Sequence, residues 1–282
     1  MKRKRILICL SAVLFLSALG LTVYPLVSNY VNDKYQSLVR TEYAGQIEST
    51  DVAAIADAKE AAQAYNESLS PLRYNRDAVQ SASENYDSFL NLNGSGIMGY
   101  VEILKLDLNL PIYHGTGETT LEKGVGHLLG SSLPIGGSGC HCILTGHSGV
   151  AGNKLFSDID QLKEGDVFFL QVLNETLAYE VEAVNTVLPY ETELLAPIRD
   201  RDLCTLVTCY PFGVNTHRLL VRGKRIPYEE AVEIEQTIEE EPVRSTWKEQ
   251  YYRGLAIGGA AAIGALLIVW LVSFVLKKRR RK

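Results

Sequence analysis

The chain has 282 residues, 46% of them hydrophobic, five cysteines and a formal charge of −5 at neutral pH, enough for one domain of ordinary size plus further segments. All 33 acidic residues lie between Asp33 and Glu249, while ten of the 28 basic residues cluster at the two ends, so the region between them carries about −15. That sign excludes nucleic acid as a partner, because nucleic acid needs a basic face, and it argues against docking onto anionic lipid headgroups.

The chain opens with Lys2-Arg3-Lys4-Arg5, followed by Ile6 to Asn32 without a charged residue. Gly254 to Leu276 is equally free of charge and precedes six basic residues, Lys277 to Lys282. Each stretch supplies the roughly 20 apolar residues that a bilayer crossing takes, and basic flanks stay cytoplasmic. The expectation is two transmembrane helices, 6–27 and 254–276, with cytoplasmic tails 1–5 and 277–282, a two-pass placement in the cell membrane and lipid bilayer contact through both helices. A cleavable signal peptide is the alternative for the first stretch, but no Ala-x-Ala site stands at its end.

Residues 28–95 read as an extracellular helical segment. Alanine dominates from Ala53 to Ala64, and neither Gly nor Pro occurs from Gln46 to Ser70, which predicts a helix over about 33–68. Ser70-Pro71 ends it, because the residue before proline avoids the helical region. A second helix is predicted from about Asp77 to Leu92, then a hinge at Asn93-Gly94-Ser95-Gly96. The segment is either a stalk or a regulatory element folded back on the active site.

From Ile97 the pattern changes to strands. Tyr100–Leu106, Leu108–Tyr113 with Pro111 fitting an edge, Ile143–Thr145, Asp166–Val172, Thr176–Leu188, Cys204–Thr208 and Arg218–Val221 make about eight strands once the longer runs are split. A glycine-rich loop region separates the second and third of these, and Asn153 to Leu162 holds a helical turn. Frequent short strands with turn signals between them predict a mainly β fold, a closed β-barrel over 96–228. Residues 229–253 form an acidic linker or short helix.

Three side chains stand at strand edges. Cys209 ends the apolar run Leu203–Val207 and precedes the turn Tyr210-Pro211-Phe212-Gly213. His147 follows Ile143-Leu144, and Arg218 opens the run to Arg222. A free thiol is only about 3% thiolate at pH 7 and needs a cation or imidazole to act as a nucleophile. Arg218 can stabilise an oxyanion, and His147 can protonate a leaving amine. From residues alone, a strand-end cysteine is in most proteins a small buried hydrophobe, and an arginine at a strand start is usually a surface charge. Cys142 and Cys204 each stand five residues before His147 and Cys209 respectively, which predicts a contact pair of buried thiols, with a disulfide as the alternative. Cys9 reads as a small apolar residue. Cys140-His141-Cys142 has no second cysteine pair at ligand spacing, so no metal is assigned.

Thr205-Leu206-Val207-Thr208-Cys209 resembles the Thr-Leu-x-Thr-Cys signature of sortases. Tyr210 to Gly223, Gly96-Ile97-Met98-Gly99-Tyr100, Pro111-Ile112-Tyr113-His114-Gly115, Gly124-Val125-Gly126-His127-Leu128 and Leu144-Thr145-Gly146-His147 are similar to the class C, pilin-polymerising branch of Gram-positive bacteria. The resemblance covers about residues 93–226 and implies an eight-stranded sortase barrel, with Cys209, His147 and Arg218 as catalytic residues and no cofactor. It implies a transpeptidase that cleaves a Leu-Pro-x-Thr-Gly-type sorting signal through a thioester and passes the acyl group to a lysine of the next pilin subunit. His114, His127 and His141 are then structural, and His217 points away from the site. Class C enzymes usually carry an Asp-Pro-aromatic lid. Here Ser70-Pro71-Leu72 stands in its place with Tyr74 nearby, so Pro71, Leu72 and Tyr74 are the lid candidates, expected to cover the site loosely. Cys140-His141-Cys142 is a second departure from the family. A wall-anchoring housekeeping sortase, a cysteine hydrolase and a non-catalytic extracellular module are the competing readings.

Overall fold

The computed structural model describes residues 2–69, 85–92, 94–148, 153–237, 249, 251–260 and 264. The chain divides into two compact units, one of residues 1–23 and 244–282 and one of residues 24–243. In the first, the Tyr251 hydroxyl donates to the Thr22 carbonyl at 2.6 Å.

The second unit is built on a closed barrel of eight strands: β1 (Ile97–Ile103), β2 (Leu108–His114), β3 (Val125–His127), β4 (His141–Thr145), β5 (Val167–Val172), β6 (Glu175–Val187), β7 (Leu203–Tyr210) and β8 (His217–Ile226). The spatial order is β1-β2-β3-β4-β7-β8-β6-β5, and β1 closes onto β5. β2–β3 and β4–β7 are parallel, and the other pairs are antiparallel. The predicted mainly β barrel is therefore present, with strand ends moved by a few residues. β3 has only three residues and falls in the stretch read as loop. Pro111 lies inside β2, not at a sheet edge. It pairs with Tyr100 on one side, but the β2–β3 ladder begins only at Ile112, so its missing N–H leaves no rung empty on the other side.

Side chains alternate between the interior and three outer faces. Val101, Ile103, Leu144, Phe168, Leu170, Tyr179, Leu206 and Val221 fill the barrel. At Gly223 an added Cβ would lie 2.6 Å from the Phe168 ring, so the interior is packed against bare backbone there. One outer patch, Ile97 and Tyr100, is covered by Val39 and Tyr43 of α1 (Lys2–Ser49). A second, Val167, Phe169, Ala178 and Ile226, is covered by Ala231 and Ile234 of a C-terminal helix, Tyr228–Thr237. The third is Ile143, Val207 and Leu220 on β4, β7 and β8.

The helical segment differs from expectation in its breaks. α1 ends at Ser49 and α2 runs Val52–Leu69. The Asp51 carboxylate accepts from the Ala53 amide at 2.7 Å, capping a new helix start that a continuous helix would not have. α2 buries Ile55, Ala62, Tyr65, Asn66 and Leu69, and the Asn66 amide makes two bonds to Leu133, accepting from its N–H at 2.7 Å and donating to its carbonyl at 3.2 Å. The helix predicted over 77–92 is absent from its described part: residues 86–88 form a 3-10 turn, and Leu90 has a left-handed φ of 58°, which a helix cannot continue through. Residues 77–84 lie outside the described residues.

The expectation of two transmembrane helices, and with it the two-pass membrane placement, is corrected: among the described residues no helix is long and apolar enough to cross a membrane. The first apolar stretch forms no helix of its own. It is the beginning of α1, which runs on without a break through Asp33, Lys34, Arg40, Glu42 and Glu48. Most of the second stretch, 261–263 and 265–276, lies outside the described residues.

Candidate active site

β7 carries the centre of the site. Its even-numbered residues Cys204 and Leu206 face the interior and Val207 the third outer patch, so alternation places Cys209 outward, at the end of that patch. Cys209 pairs directly with Arg218 across the β7–β8 ladder, and Tyr210 with His217. Directly opposed residues share a face with Cβ atoms about 5 Å apart, which puts Arg218 beside Cys209 and His217 on the other face.

His147 reaches the same place from β4. The parallel β4–β7 register ends at Thr145 and Val207, and three hydrogen bonds continue it. The Gly146 amide donates to Val207 O at 3.0 Å. The Thr208 hydroxyl, 3% exposed, donates to Gly146 O at 2.8 Å. The Ser148 hydroxyl donates to Cys209 O at 2.6 Å. An added Cβ on Gly146 would meet the Phe156 ring at 2.6 Å, so glycine lets that ring pack beneath the turn, and the Phe156 amide donates to His147 O at 3.0 Å. His147 is thus bracketed by fixed backbone on both sides.

Arg218 donates through Nη1 to its own turn, to His217 O at 2.9 Å and Asn215 O at 3.3 Å. Among the described residues it forms no ion pair, so its charge remains available to an anion. Cys209, His147 and Arg218 line one cavity of about 420 Å³. Its floor is the third outer patch, Ile143, Val207 and Leu220, and the β6–β7 connection contributes Pro189, Glu191, Thr192 and Leu195 as a wall. The result is an apolar groove with a thiol, an imidazole and a guanidinium at one end.

The wall is pinned by His141, which is 2% exposed. Its Nδ1 donates to Ala196 O at 3.1 Å, and its Nε2 accepts from Thr205 Oγ1 at 2.7 Å. Burial lowers its pKa to about 4, so the imidazole stays neutral near pH 7. Below the wall Glu182 bridges Arg201 and Arg222. Burial opposes the charged carboxylate, but the two guanidinium groups outweigh it and hold the pKa low.

His127 and His114 face away from the thiol. His127 is wholly buried, donating from Nε2 to Ser132 O at 2.9 Å and accepting from the Tyr86 hydroxyl at 2.8 Å. His114 directs its ring nitrogens at Gly96 O and Phe89 O. Cys142 and Cys204 are register partners on β4 and β7, both buried with free thiols, as the contact-pair reading expects and the disulfide alternative does not. Burial raises the Cys142 pKa well above the usual thiol value. Adjacent strand residues face opposite ways, so His141 and Cys142 do not share a face. Among the described residues no group of three or more His, Cys, Asp or Glu could hold a metal ion. The lid candidates Pro71, Leu72 and Tyr74 lie outside the described residues. Ser148 and Thr208 tie the turn after β4 to β7, a task that no motif in the sequence expresses. A polar residue at an inward position of β7 was the signal for Thr208, and Ser148 offered none.

Residues 101–226 match the Sortase domain family. Sortase D of Bacillus subtilis is 31% identical over 131 residues, 45% of this chain and 63% of that protein, so the chain spans less than two thirds of the length of such curated relatives. Among solved structures, sortase C1 of Streptococcus agalactiae is 41% identical with a TM-score of 0.63, covering 67% of this chain and 98% of that one. A Streptococcus pneumoniae sortase C, described for its catalysis and pilin substrate specificity, is 39% identical with a TM-score of 0.60, covering 67% and 97%.

Proposed function

Because the chain belongs to the sortase family and class C sortases are among its solved neighbours, we propose that it is a cysteine transpeptidase that joins pilin subunits. Cys209 passes its thiol proton to His147, and its Sγ attacks the carbonyl carbon of the Thr–Gly bond in a Leu-Pro-x-Thr-Gly-type sorting signal. Arg218 stabilises the oxyanion that forms. The C–N bond breaks as His147 gives its proton to the leaving glycine amine, and the threonine remains on sulfur as a thioester. The ε-amine of a lysine on the next pilin then attacks the thioester. Its nitrogen displaces sulfur, an isopeptide bond forms, and the proton lost from nitrogen returns through His147. The apolar floor of Ile143, Val207 and Leu220 suits the Leu-Pro end of the signal.

The observation that carries this reading is the lining of one 420 Å³ groove by Cys209, its cross-strand partner Arg218 and His147. The description of the Streptococcus pneumoniae relative supports pilins over wall precursors as acceptors. The test is intact-mass analysis of the protein with a Leu-Pro-x-Thr-Gly peptide. An acyl adduct forms on the parent and is absent from Cys209→Ala, and a lysine peptide from a pilin discharges it faster than water does. Discharge by water alone makes the protein a hydrolase, and discharge by a wall-precursor amine makes it a housekeeping enzyme. If neither the parent nor a protein lacking the residues before Ile97 forms an adduct, the domain is a non-catalytic module.

In the same assay Arg218→Lys keeps the charge but loses the planar fork. Its thioester formation falls about 10²-fold or more, the loss expected on removing an oxyanion donor. A rate within threefold of the parent removes Arg218 from the oxyanion role.

A further inference from the structure

We propose that Ser148 is a positioning residue that holds the His147 turn against Cys209 by replacing a missing rung of the barrel. The assignment rests on the transpeptidase reading of the same site. Backbone carbonyls along a strand point alternately to its two sides. The Val207 carbonyl points toward β4, where it accepts from the Gly146 amide at 3.0 Å. The Cys209 carbonyl, two residues on, points to the same side, but the paired β4 register has already ended at Thr145. The chain turns there so that the His147 ring can face the groove, and no β4 amide remains to meet Cys209. The Ser148 hydroxyl takes that place at 2.6 Å.

The bond joins the residue after the histidine to the residue that bears the thiol. The Thr208 hydroxyl makes the reciprocal tie, donating to Gly146 O at 2.8 Å, and fixes the start of the turn. Ser148 fixes its far side. Without it the turn is held to β7 only before His147, and the imidazole can swing relative to Sγ. A displacement of about 1 Å in a reacting group costs up to 10²-fold in rate, and the cost falls on the chemical step because Ser148 is not part of the groove lining.

The experiment compares the parent, Ser148→Ala and Ser148→Thr. The kcat for thioester formation with a Leu-Pro-x-Thr-Gly peptide falls ten- to a hundred-fold in Ser148→Ala at unchanged KM. Ser148→Thr, which keeps the hydroxyl, restores it to within a few-fold. Alkylation of Cys209 by iodoacetamide at pH 7 follows the same order, slower in the alanine variant and recovered in the threonine variant. Thermal unfolding midpoints of all three accompany the rates. An alanine variant with parental kcat and alkylation rate overturns the proposal. So does a threonine variant as slow as the alanine one while its midpoint matches the parent. Alkylation needs no peptide, so it still decides the role of Ser148 if the parent forms no thioester, an outcome that would count against the transpeptidase reading instead.

Discussion

At His141 a single side chain links the groove wall to β7. The ring must be neutral to accept from Thr205 while donating to Ala196, and burial lowers its pKa from 6.5 to about 4. The unfolded chain takes up this proton near pH 6.5 and the folded chain only near pH 4, so the unfolded state holds more protons between those values. Stability therefore rises with pH across that window and is lost as pH falls through it, by roughly 3 kcal/mol for this one group. Urea unfolding at pH 7 and pH 4.5 measures it. The parent loses more stability between the two than His141→Gln does, and equal losses would remove His141 as the source. Of the charges near the ring, Arg222 and Arg201 act in the same direction as burial and Glu182 opposes it, and the net shift stays downward. The three residues that meet in the groove, Cys209, His147 and Arg218, stand out in the sequence because each ends or opens an apolar run and the motif around Cys209 is specific. Thr208 and Ser148 were not readable as a pair. Their partners are main-chain carbonyls 62 and 61 residues away, and no periodicity records which carbonyl a fold leaves without a strand neighbour.

At the scale of elements, α2 is fastened to the barrel by polar contacts as much as by packing. Asn66 satisfies both main-chain groups of Leu133 and is itself 6% exposed. Asn66→Ala leaves the buried Leu133 amide unpaired, while its carbonyl keeps the Ile135 N–H at 2.8 Å, a loss of about 1–3 kcal/mol. Amide exchange at Leu133 reads it, accelerating in the variant while exchange in β7 stays slow, and parental protection at Leu133 would mean that another group had taken over. The Tyr86 hydroxyl engages His127 and Gly115. If Pro71, Leu72 and Tyr74 act as a lid, the double change Leu72→Ala and Tyr74→Ala raises the rate of thioester formation severalfold with Asn66 intact, and an unchanged rate removes them from that role. The strands were legible from alternation and from the Gly and Pro between them. β3 was not, because three residues with Gly126 at their centre carry too little alternation. The 3-10 turn at Leu104–Leu106 hid inside an apolar run that extends β1 by pattern alone. The apolar stretch at 6–27 was read as a separate span because composition marks where charge begins but not whether the helix stops there.

Over the whole molecule the charge is divided unevenly, and on the proposed transpeptidase reading that division bears on how the two substrates approach. The region between the basic ends carries about −15, while the groove end presents Arg218, whose guanidinium bonds two main-chain carbonyls and, among the described residues, forms no ion pair. A field of that sign attracts a lysine-bearing acceptor over distances longer than a hydrogen bond, and salt screens it with a Debye length of about 10 Å at 0.1 M. A sorting-signal peptide of zero net charge feels little of it. The two half-reactions should therefore separate on ionic strength. Between 0.02 and 0.5 M sodium chloride, thioester formation from a neutral Leu-Pro-x-Thr-Gly peptide changes less than twofold. Over the same range, discharge of the thioester by a lysine peptide of net charge +2 or more slows about tenfold, within the range that steering contributes to association. Discharge by hydroxylamine, which is neutral at pH 7, is the control for salt effects on the chemistry itself. Equal salt dependence of lysine peptide and hydroxylamine would show that the acidic surface does not gather the acceptor, and that the amine is selected within the groove by contact alone.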